Sequence, residues 1–492
     1  MIDVLVIGAG PAGVIAALRA GDLGARTTLI TRDQFGGMAA NDGPVPVRTL
    51  AHAARLMRAA RQLSEYGISV DRPTLDYPAL LDRVQQVVKE VGAHSAFRQQ
   101  IDAAGVTIHE HAGKARFVDA ETIETESGLN LQARKIIICT GGASRILSMP
   151  GFELTATHSD AWGLTSVPPS MLVIGGGATG AQVASIFNAF GSQVSLFHAG
   201  ARILPTEDED VSRAMADAFR KSGICVREAF GTIESFEETA AGIRMNFSSP
   251  GKTDSAEAAL AVVTVGWTAN TEGLNLEAAG VNTNARGFIG VDDNLQTSAP
   301  NIFAAGDITG RLMLVPQAIH DGFVSATNAV KGAILKAGNE VNPIGGFTEP
   351  EYAQVGLIEA KARESHDVLV AKVDFDSTTR TIIDGRTDGF CKLIVDRATN
   401  LILGCHVVGE RAVEIVQAAS IAMAARMPVN ELAHLPLSFP TYVGMLGRAA
   451  AVATRQLNRG ENKADLLEPW QDAEKAKSAT ETQSHRDRLV RN

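Results

Sequence analysis

Cysteine is scarce in this chain: Cys139, Cys225, Cys391 and Cys405 are all there are among 492 residues. No two of them form a C-x-x-C motif and no Cys/His cluster has zinc spacing, so neither a thioredoxin-type dithiol nor a metal site is expected. Cys139, Cys391 and Cys405 lie in apolar strand-like segments and read as buried, inert thiols. Long apolar runs are lacking too: no stretch of about 18 apolar residues suggests a membrane span. Positive charge is in deficit, with 45 Lys+Arg against 55 Asp+Glu and a net charge of −10. No basic run carries interleaved aromatics, which argues against nucleic acid or an anionic membrane as partner. Strand material begins at once with Met-Ile-Asp-Val-Leu-Val-Ile-Gly, without a charged n-region, an apolar h-region or a cleavage site. A cytoplasmic location is the expectation.

What the chain has in plenty is glycine in ordered settings. Its 492 residues, 45% of them hydrophobic, suit a soluble globular protein of about three domains at roughly 150 residues each. Residues 3–7 are an apolar run; Gly8-Ala-Gly-Pro-Ala-Gly13 follows, then a helical pattern to Leu23 and a second strand at 27–31. The same unit recurs: a strand at 171–174, the turn Gly175-Gly-Gly-Ala-Thr-Gly180, a helix at 181–190 and a strand at 193–197. A glycine-rich turn between a strand and a helix is the context that makes the motif a dinucleotide site. Two such units imply two sites. Gly8 and Gly10, like Gly175 and Gly177, let backbone approach a pyrophosphate, while Gly13 and Gly180 allow close helix–strand packing.

Residues 135–139 with Thr140-Gly141 read as a strand and turn, and Asn301-Ile-Phe-Ala-Ala-Gly306-Asp307 as another strand ending in Gly-Asp. From Gly345 the pattern changes to strand-like segments at 368–375, 390–395 and 401–408, followed by amphipathic helices from about Arg411, the mark of a separate α+β domain. After Arg459 the chain turns polar and charged and reads as a disordered tail.

These motifs, with Gly36–Arg48, Val265-Gly-Trp-Thr-Ala-Asn270, Thr348-Glu-Pro350 and Leu403–Gly409, resemble the flavin-dependent pyridine-nucleotide disulfide oxidoreductases. Dihydrolipoamide dehydrogenase, glutathione reductase and mercuric reductase belong to that family, and the resemblance runs from about residue 3 to about 455. It implies an α/β fold: two Rossmann-like dinucleotide-binding domains plus a C-terminal α+β dimerisation domain. An FAD-binding domain is expected at 1–150 and 271–340, an NAD(P)-binding domain at 151–270, a dimerisation domain at 341–458 and the tail at 459–492. It also implies a homodimer. FAD contacts are expected from Gly8, Gly10, Ala12, Gly13, Thr31, Arg32, Gly37, Arg48, Thr140, Gly141, Gly306, Asp307 and Ala318. Nicotinamide-nucleotide contacts are expected from Gly175, Gly177, Gly180, His198, Arg202 and Gly266.

The departures carry the functional information. The family's two redox cysteines fall on Ala39 and Pro44, neither of which can form a thiolate. Its acidic ribose ligand falls on Thr31, a weaker partner for a sugar hydroxyl. Its lysine near flavin N5 falls on Arg48, and that lysine's glutamate partner on Gln182. A lone cation there is expected to favour anionic reduced flavin and raise the reduction potential. The His–Glu acid–base pair falls on Phe439 and Gly444, and the gate over the nicotinamide falls on Ala178. Phe439 and Tyr442 are candidates for a flat apolar slot that stacks an aromatic acceptor, with dimer-interface core as the competing account. His434 reads as an exposed helix-terminal histidine. His198 replaces the acid that selects NADH, and Arg202 suits a 2′-phosphate, so NADPH is favoured over NADH.

The expected function is an FAD-dependent NAD(P)H oxidoreductase. Electrons pass from flavin to a small-molecule acceptor such as a quinone, with Arg48, Phe439 and Tyr442 as the catalytic candidates. Flavin-dependent oxidation of another small substrate and a redox-silent scaffold or regulator are the alternatives.

Overall fold

The computed structural model describes residues 1–71, 73–93, 96–249, 251–338 and 341–458. The expected tail at 459–492 lies outside the described residues. The chain divides into two compact units, Met1–Gln354 with Val408–Val413, and Val355–Val407 with the segment from Glu414.

The first unit holds two parallel sheets. In one, Ile2–Ile7 lies between Thr27–Ile30 and Asn130–Ile138, with Ile7 opposite Ile30 on one side and Ile138 on the other. Thr107–His109 extends the sheet beyond Thr27–Ile30, and Ile302–Ala304 pairs in parallel with Asn130–Ile138. The strands are Val/Ile-rich because helices cover them. Val4, Val6, Ala16, Ala17, Leu29 and Ile137 form one buried layer and Leu5, Ile7, Ile30, Ile136 and Ile138 the other. The helix Pro11–Asp22 runs back over this sheet and meets the helix Val315–Lys331 at very close range. A Cβ on Gly322 would lie 2.2 Å from Ala12 O, so only glycine allows that approach.

The second parallel sheet has the order Cys225–Glu228, Gln193–His198, Ser170–Ile174, Leu260–Val263. A three-stranded antiparallel sheet over Thr232–Ala258 packs on it through Phe230, Phe236, Met245 and Phe247. Phe197, Phe230 and Phe247 meet edge to face with centroids 5.4–5.6 Å apart, a geometry worth about 0.5–1.5 kcal/mol per pair beyond area burial. A short antiparallel pair, Gly142–Ser144 with Trp267–Ala269, completes this part.

In both parallel sheets the strand order reverses beside the first strand of the unit. Ligands of open α/β sheets bind at that switch point, past the carboxyl ends of the strands. The glycine-rich turns leave those ends.

The second unit is α+β. Phe390–Asp396 lies between Val368–Asp374 and Ile402–Val408, and the first pair is antiparallel. Helices Ala412–Ala424, Val429–His434 and Gly444–Asn458 follow. Among the described residues no helix is long and apolar enough to cross a membrane.

Candidate functional site

The first glycine-rich turn is dictated by sterics. Gly8 has φ +104°, and a Cβ there would lie 2.3 Å from Cys139 O. A Cβ on Gly13 would lie 1.8 Å from Gly8 O. Gly10 is different: nothing stands within 4 Å of where its Cβ would be, so the backbone faces open space. The helix Pro11–Asp22 starts there with no side-chain cap, leaving its first N–H groups for an anion. The 36–48 segment lies over this turn. Gly36 N–H donates to Ala9 O at 2.9 Å, and a Cβ on Gly37 would be 2.7 Å from Gly10 Cα.

The neighbouring loops converge. Gly306 sits against Ala12 and Ala318, whose Cβ atoms would be 3.0 and 3.5 Å from its own. Thr140 and Gly141 are laced to Asn270: Thr140 Oγ1 donates to Asn270 O at 3.0 Å, and Asn270 Nδ2 returns a bond to Thr140 O at 3.0 Å. Asp307 begins the short turn after Ile302–Ala304, and burial lifts its carboxyl to about 6. A desolvated carboxyl suits the donors of a sugar chain, and the open backbone at Gly10 suits a pyrophosphate, so these residues fit FAD. Thr31 is buried at the end of the second strand, while Arg32 is exposed and paired with Asp33 at 2.7 Å.

The second turn repeats the logic. Gly175 has φ +110°, and a Cβ on Gly180 would be 1.8 Å from Gly175 O, so only glycines close this strand–helix corner. Thr264 Oγ1 ties the corner with bonds to Ile174 O and Gly175 O at 3.0 and 2.9 Å. Gly177 and Gly266 again face open space. They open on a cavity of about 600 Å³ whose wall includes Ala178, His198, Leu147, Phe230 and Trp267. His198 Nδ1 accepts from Gly176 N–H at 3.2 Å, and burial lowers its pKa, so the ring presents a neutral face. Arg202 does not line the cavity. It donates to Pro205 O at 3.2 Å and Ser212 Oγ at 3.3 Å.

Arg48 has a neutral amide, not a carboxylate, as its hydrogen-bond partner, and an aromatic ring beneath it. The helix Pro44–Gln62 carries it into a half-buried place, where it donates to Gln182 Oε1 at 2.6 Å and lies 3.6 Å above the Phe347 ring. Burial lowers its pKa to about 10, with Tyr352 and Glu351 acting the other way. Tertiary structure brings these neighbours: the residues just before the strand at 352–356 supply an acid, Glu351, and a ring, Phe347, that the local sequence around 48 does not announce. Ala39 ends up in the helix Gly37–Asn41 and Pro44 at the start of the next helix.

In the second unit, Tyr442 OH donates to Asp384 Oδ2 at 2.8 Å, whereas Phe439 is 74% exposed. His434 is exposed in the last helical turn, its Nδ1 2.5 Å from Asn430 O. Cys391 and Cys405 meet across the consecutive, neighbouring strands Phe390–Asp396 and Ile402–Val408. The Cys391 thiol and burial together push the Cys405 thiol well up.

One group escaped the sequence reading: Ser144, His158 and Trp267 on the cavity wall, with Ser159 and Asp42 behind them. The only local signal was Thr157-x-x-Asp160, the pattern of a capping box, which starts the helix His158–Trp162 and orients its first residues.

The fold and the two glycine-rich crevices thus define a flavin- and nicotinamide-dependent class of protein. Residues 2–322 match the family described as pyridine nucleotide-disulphide oxidoreductase, and residues 342–450 match its dimerisation domain. The chain is 32% identical over 461 residues to dihydrolipoyl dehydrogenase of Geobacillus stearothermophilus, covering 92% of this chain and 96% of that protein. It is 31% identical over 451 residues to mercuric reductase of Lysinibacillus sphaericus, covering 91% and 82%. The HOCl-induced flavoprotein disulfide reductase RclA from Escherichia coli superposes with a TM-score of 0.81 at 24% identity, covering 92% of this chain and 99% of that one. The chain belongs to the FAD-dependent pyridine nucleotide-disulphide oxidoreductase family.

Proposed function

We propose that this protein is an FAD-dependent NAD(P)H oxidoreductase that delivers electrons to a small acceptor of the quinone class without a dithiol relay. The observation that carries the reading is the pair Ala39 and Pro44 in the segment laid over the first glycine-rich turn, where the resemblance puts the two redox cysteines. Neither side chain can accept electrons or form a thiolate. Bound FAD supplies a two-electron relay between nicotinamide and acceptor.

The chain's own residues hold and bias that relay in this reading. The turn at Gly8–Gly13 holds the pyrophosphate, Thr31 a ribose hydroxyl and Asp307 the sugar chain. Arg48 sets the charge beside the flavin, and the cavity at Gly177 and Gly266 takes the nicotinamide nucleotide. NADPH and NADH both remain candidates, since the geometry of Arg202 does not favour a 2′-phosphate contact. A homodimer built through residues 342–450 and a cytoplasmic location belong to the same proposal. Phe439 and Tyr442 carry no chemical step in this reading: the hydrogen bond to Asp384 makes Tyr442 an anchoring residue, and Phe439 is exposed.

The test is an anaerobic titration of the purified yellow protein with NADPH and with NADH. Loss of the oxidised flavin band near one equivalent, with no thiolate charge-transfer band, is expected. Robust lipoamide or glutathione-disulfide turnover that survives replacement of all four cysteines would sink the reading.

A further inference from the structure

The cavity wall holds a hydrogen-bonded chain that the function just proposed does not use. His158 is 4% exposed and lies edge-on to Trp267, with ring centroids 4.9 Å apart at 63°. His158 Nδ1 is 2.9 Å from Ser144 Oγ, on the cavity wall. Nε2 is 3.5 Å from Ser159 Oγ, a long link, and Ser159 Oγ donates to Asp42 Oδ2 at 2.5 Å. Asp42 comes from the 36–48 segment, so the chain joins that segment to the cavity.

The directions follow from what each group can do. An ionised carboxylate only accepts, so Ser159 spends its one proton on Asp42. Ser159 then offers a lone pair to His158, whose Nε2 carries the hydrogen. Nδ1 is left bare and accepts from the Ser144 hydroxyl. Charging the ring reverses only the last bond: Nδ1–H donates to Ser144 Oγ, and the Ser144 O–H turns to the cavity. Burial lowers the His158 pKa, opposed by the charges of Asp42 and of Asp160 on its own helix. Asp160 is occupied by Thr157 N–H and Oγ1 at 2.7 and 2.8 Å, and Trp267 and Ser144 bring no charge.

We propose that His158, oriented by Ser159 and Asp42, acts through Ser144 as the proton donor to an oxygen acceptor of the quinone class that enters this cavity after the nicotinamide nucleotide has left it; the inference rests on the function proposed above. A quinone that gains a hydride equivalent becomes a hydroquinone monoanion and needs one proton. Ser144 gives its proton to that oxygen while the His158 imidazolium gives Nδ1–H to Ser144, leaving neutral imidazole. After the hydroquinone has left, a solvent proton returns from the cavity through Ser144 Oγ to the bare Nδ1 and recharges the ring, while Ser159 and Asp42 hold the Nε2–H throughout. The sum is NAD(P)H + H⁺ + quinone → NAD(P)⁺ + hydroquinone.

The experiment reoxidises dithionite-reduced holoprotein in a stopped-flow instrument with benzoquinone and, separately, with ferricyanide, which takes electrons without a proton. His158→Gln is expected to slow benzoquinone roughly a hundredfold and leave ferricyanide within about threefold. Ser144→Ala, which keeps the ring, is expected to show the same selectivity. The wild-type benzoquinone rate falls as pH rises through the lowered His158 pKa, and the variants lose that limb. An independent readout is the imidazole NMR titration of His158, identified by its loss in His158→Gln. Its midpoint moves further down in Asp42→Asn. A benzoquinone rate insensitive to both variants, equal losses on both acceptors, or an unmoved midpoint overturns the chain alone. A wild type that ferricyanide reoxidises rapidly and benzoquinone does not would overturn the function reading as well.

Discussion

Arg48 and Gln182 are joined by a 2.6 Å hydrogen bond from guanidinium to amide oxygen, between the helices Pro44–Gln62 and Ala178–Phe190. A neutral amide orients the cation without cancelling its charge. Phe347 beneath the guanidinium adds a cation–π contact worth about 0.5–2 kcal/mol. What remains is a positioned, half-buried positive charge.

Gln182→Glu should therefore act electrostatically. A carboxylate at that position neutralises the Arg48 charge and disfavours negative charge on a nearby redox group. Flavin reduction by the preferred nucleotide is expected to slow about tenfold, some 1.4 kcal/mol, with a lower midpoint potential and an unchanged melting temperature. Stopped-flow bleaching and a dye-coupled potential measurement check this; an unchanged potential would remove Arg48 from the redox site.

The glycines separate folding from binding. A Cβ on Gly180 collides with Gly175 O at 1.8 Å, whereas one on Gly177 meets nothing within 4 Å. Gly180→Ala is expected to destabilise the fold by about 1–3 kcal/mol, in the range of core overpacking. Gly177→Ala is expected to fold normally and to weaken nucleotide binding about tenfold or more by blocking the backbone approach. Thermal melts and fluorescence titration with NAD(P)H distinguish the two, and equal effects on stability would contradict the geometry.

That contrast also shows what was legible. Both glycine-rich turns, their strands and helices, and the crevices they open could be read from the chain because each is a local steric problem: Gly8, Gly13, Gly175 and Gly180 are forced by backbone a few residues away or one strand over. The place of Gln182 beside Arg48 followed from the resemblance, but Phe347 and Glu351 were not legible, because they reach it from distant segments. The meeting of Cys391 with Cys405 depends on strand pairing, and the group from Asp42 to Ser144 depends on the end of one helix, the start of another and a short strand arriving together. Periodicity and turn chemistry report on neighbours in sequence, and these sites are made of neighbours in space.

Nucleotide choice turns on His198 and Arg202. His198 is on the cavity wall; Arg202 is committed to Pro205 O and Ser212. Arg202→Ala is expected to change the ratio of NADPH to NADH affinity less than about threefold, under 1 kcal/mol. His198→Glu is expected to shift it toward NADH about tenfold or more, because a carboxylate repels a 2′-phosphate. Paired titrations of both variants test this, and a large effect of Arg202→Ala would mean that the side chain swings to the nucleotide on binding.

Burial of Asp307 makes the stability of the fold depend on pH. Burial raises its carboxyl from the ordinary 3.8 to about 6 in the folded apoprotein. Between those two values the folded state binds a proton that the unfolded state has released. Stability is therefore intact below about 3.8, falls as pH rises to about 6, and stays reduced above it. The shift of roughly two units corresponds to about 3 kcal/mol at most. Asp307→Asn removes the cost of the buried charge, so the apoprotein variant is expected to be more stable than wild type at pH 7.5 by about 1–3 kcal/mol and to lose that advantage near pH 4. Urea melts of both apoproteins across this range measure the difference. FAD affinity should move the other way, because an amide accepts sugar hydroxyls less strongly than a carboxylate. A variant that gains stability and loses FAD would identify Asp307 as a residue held at a cost to the fold for the sake of the cofactor. A variant unchanged in both would place the carboxyl outside the flavin site.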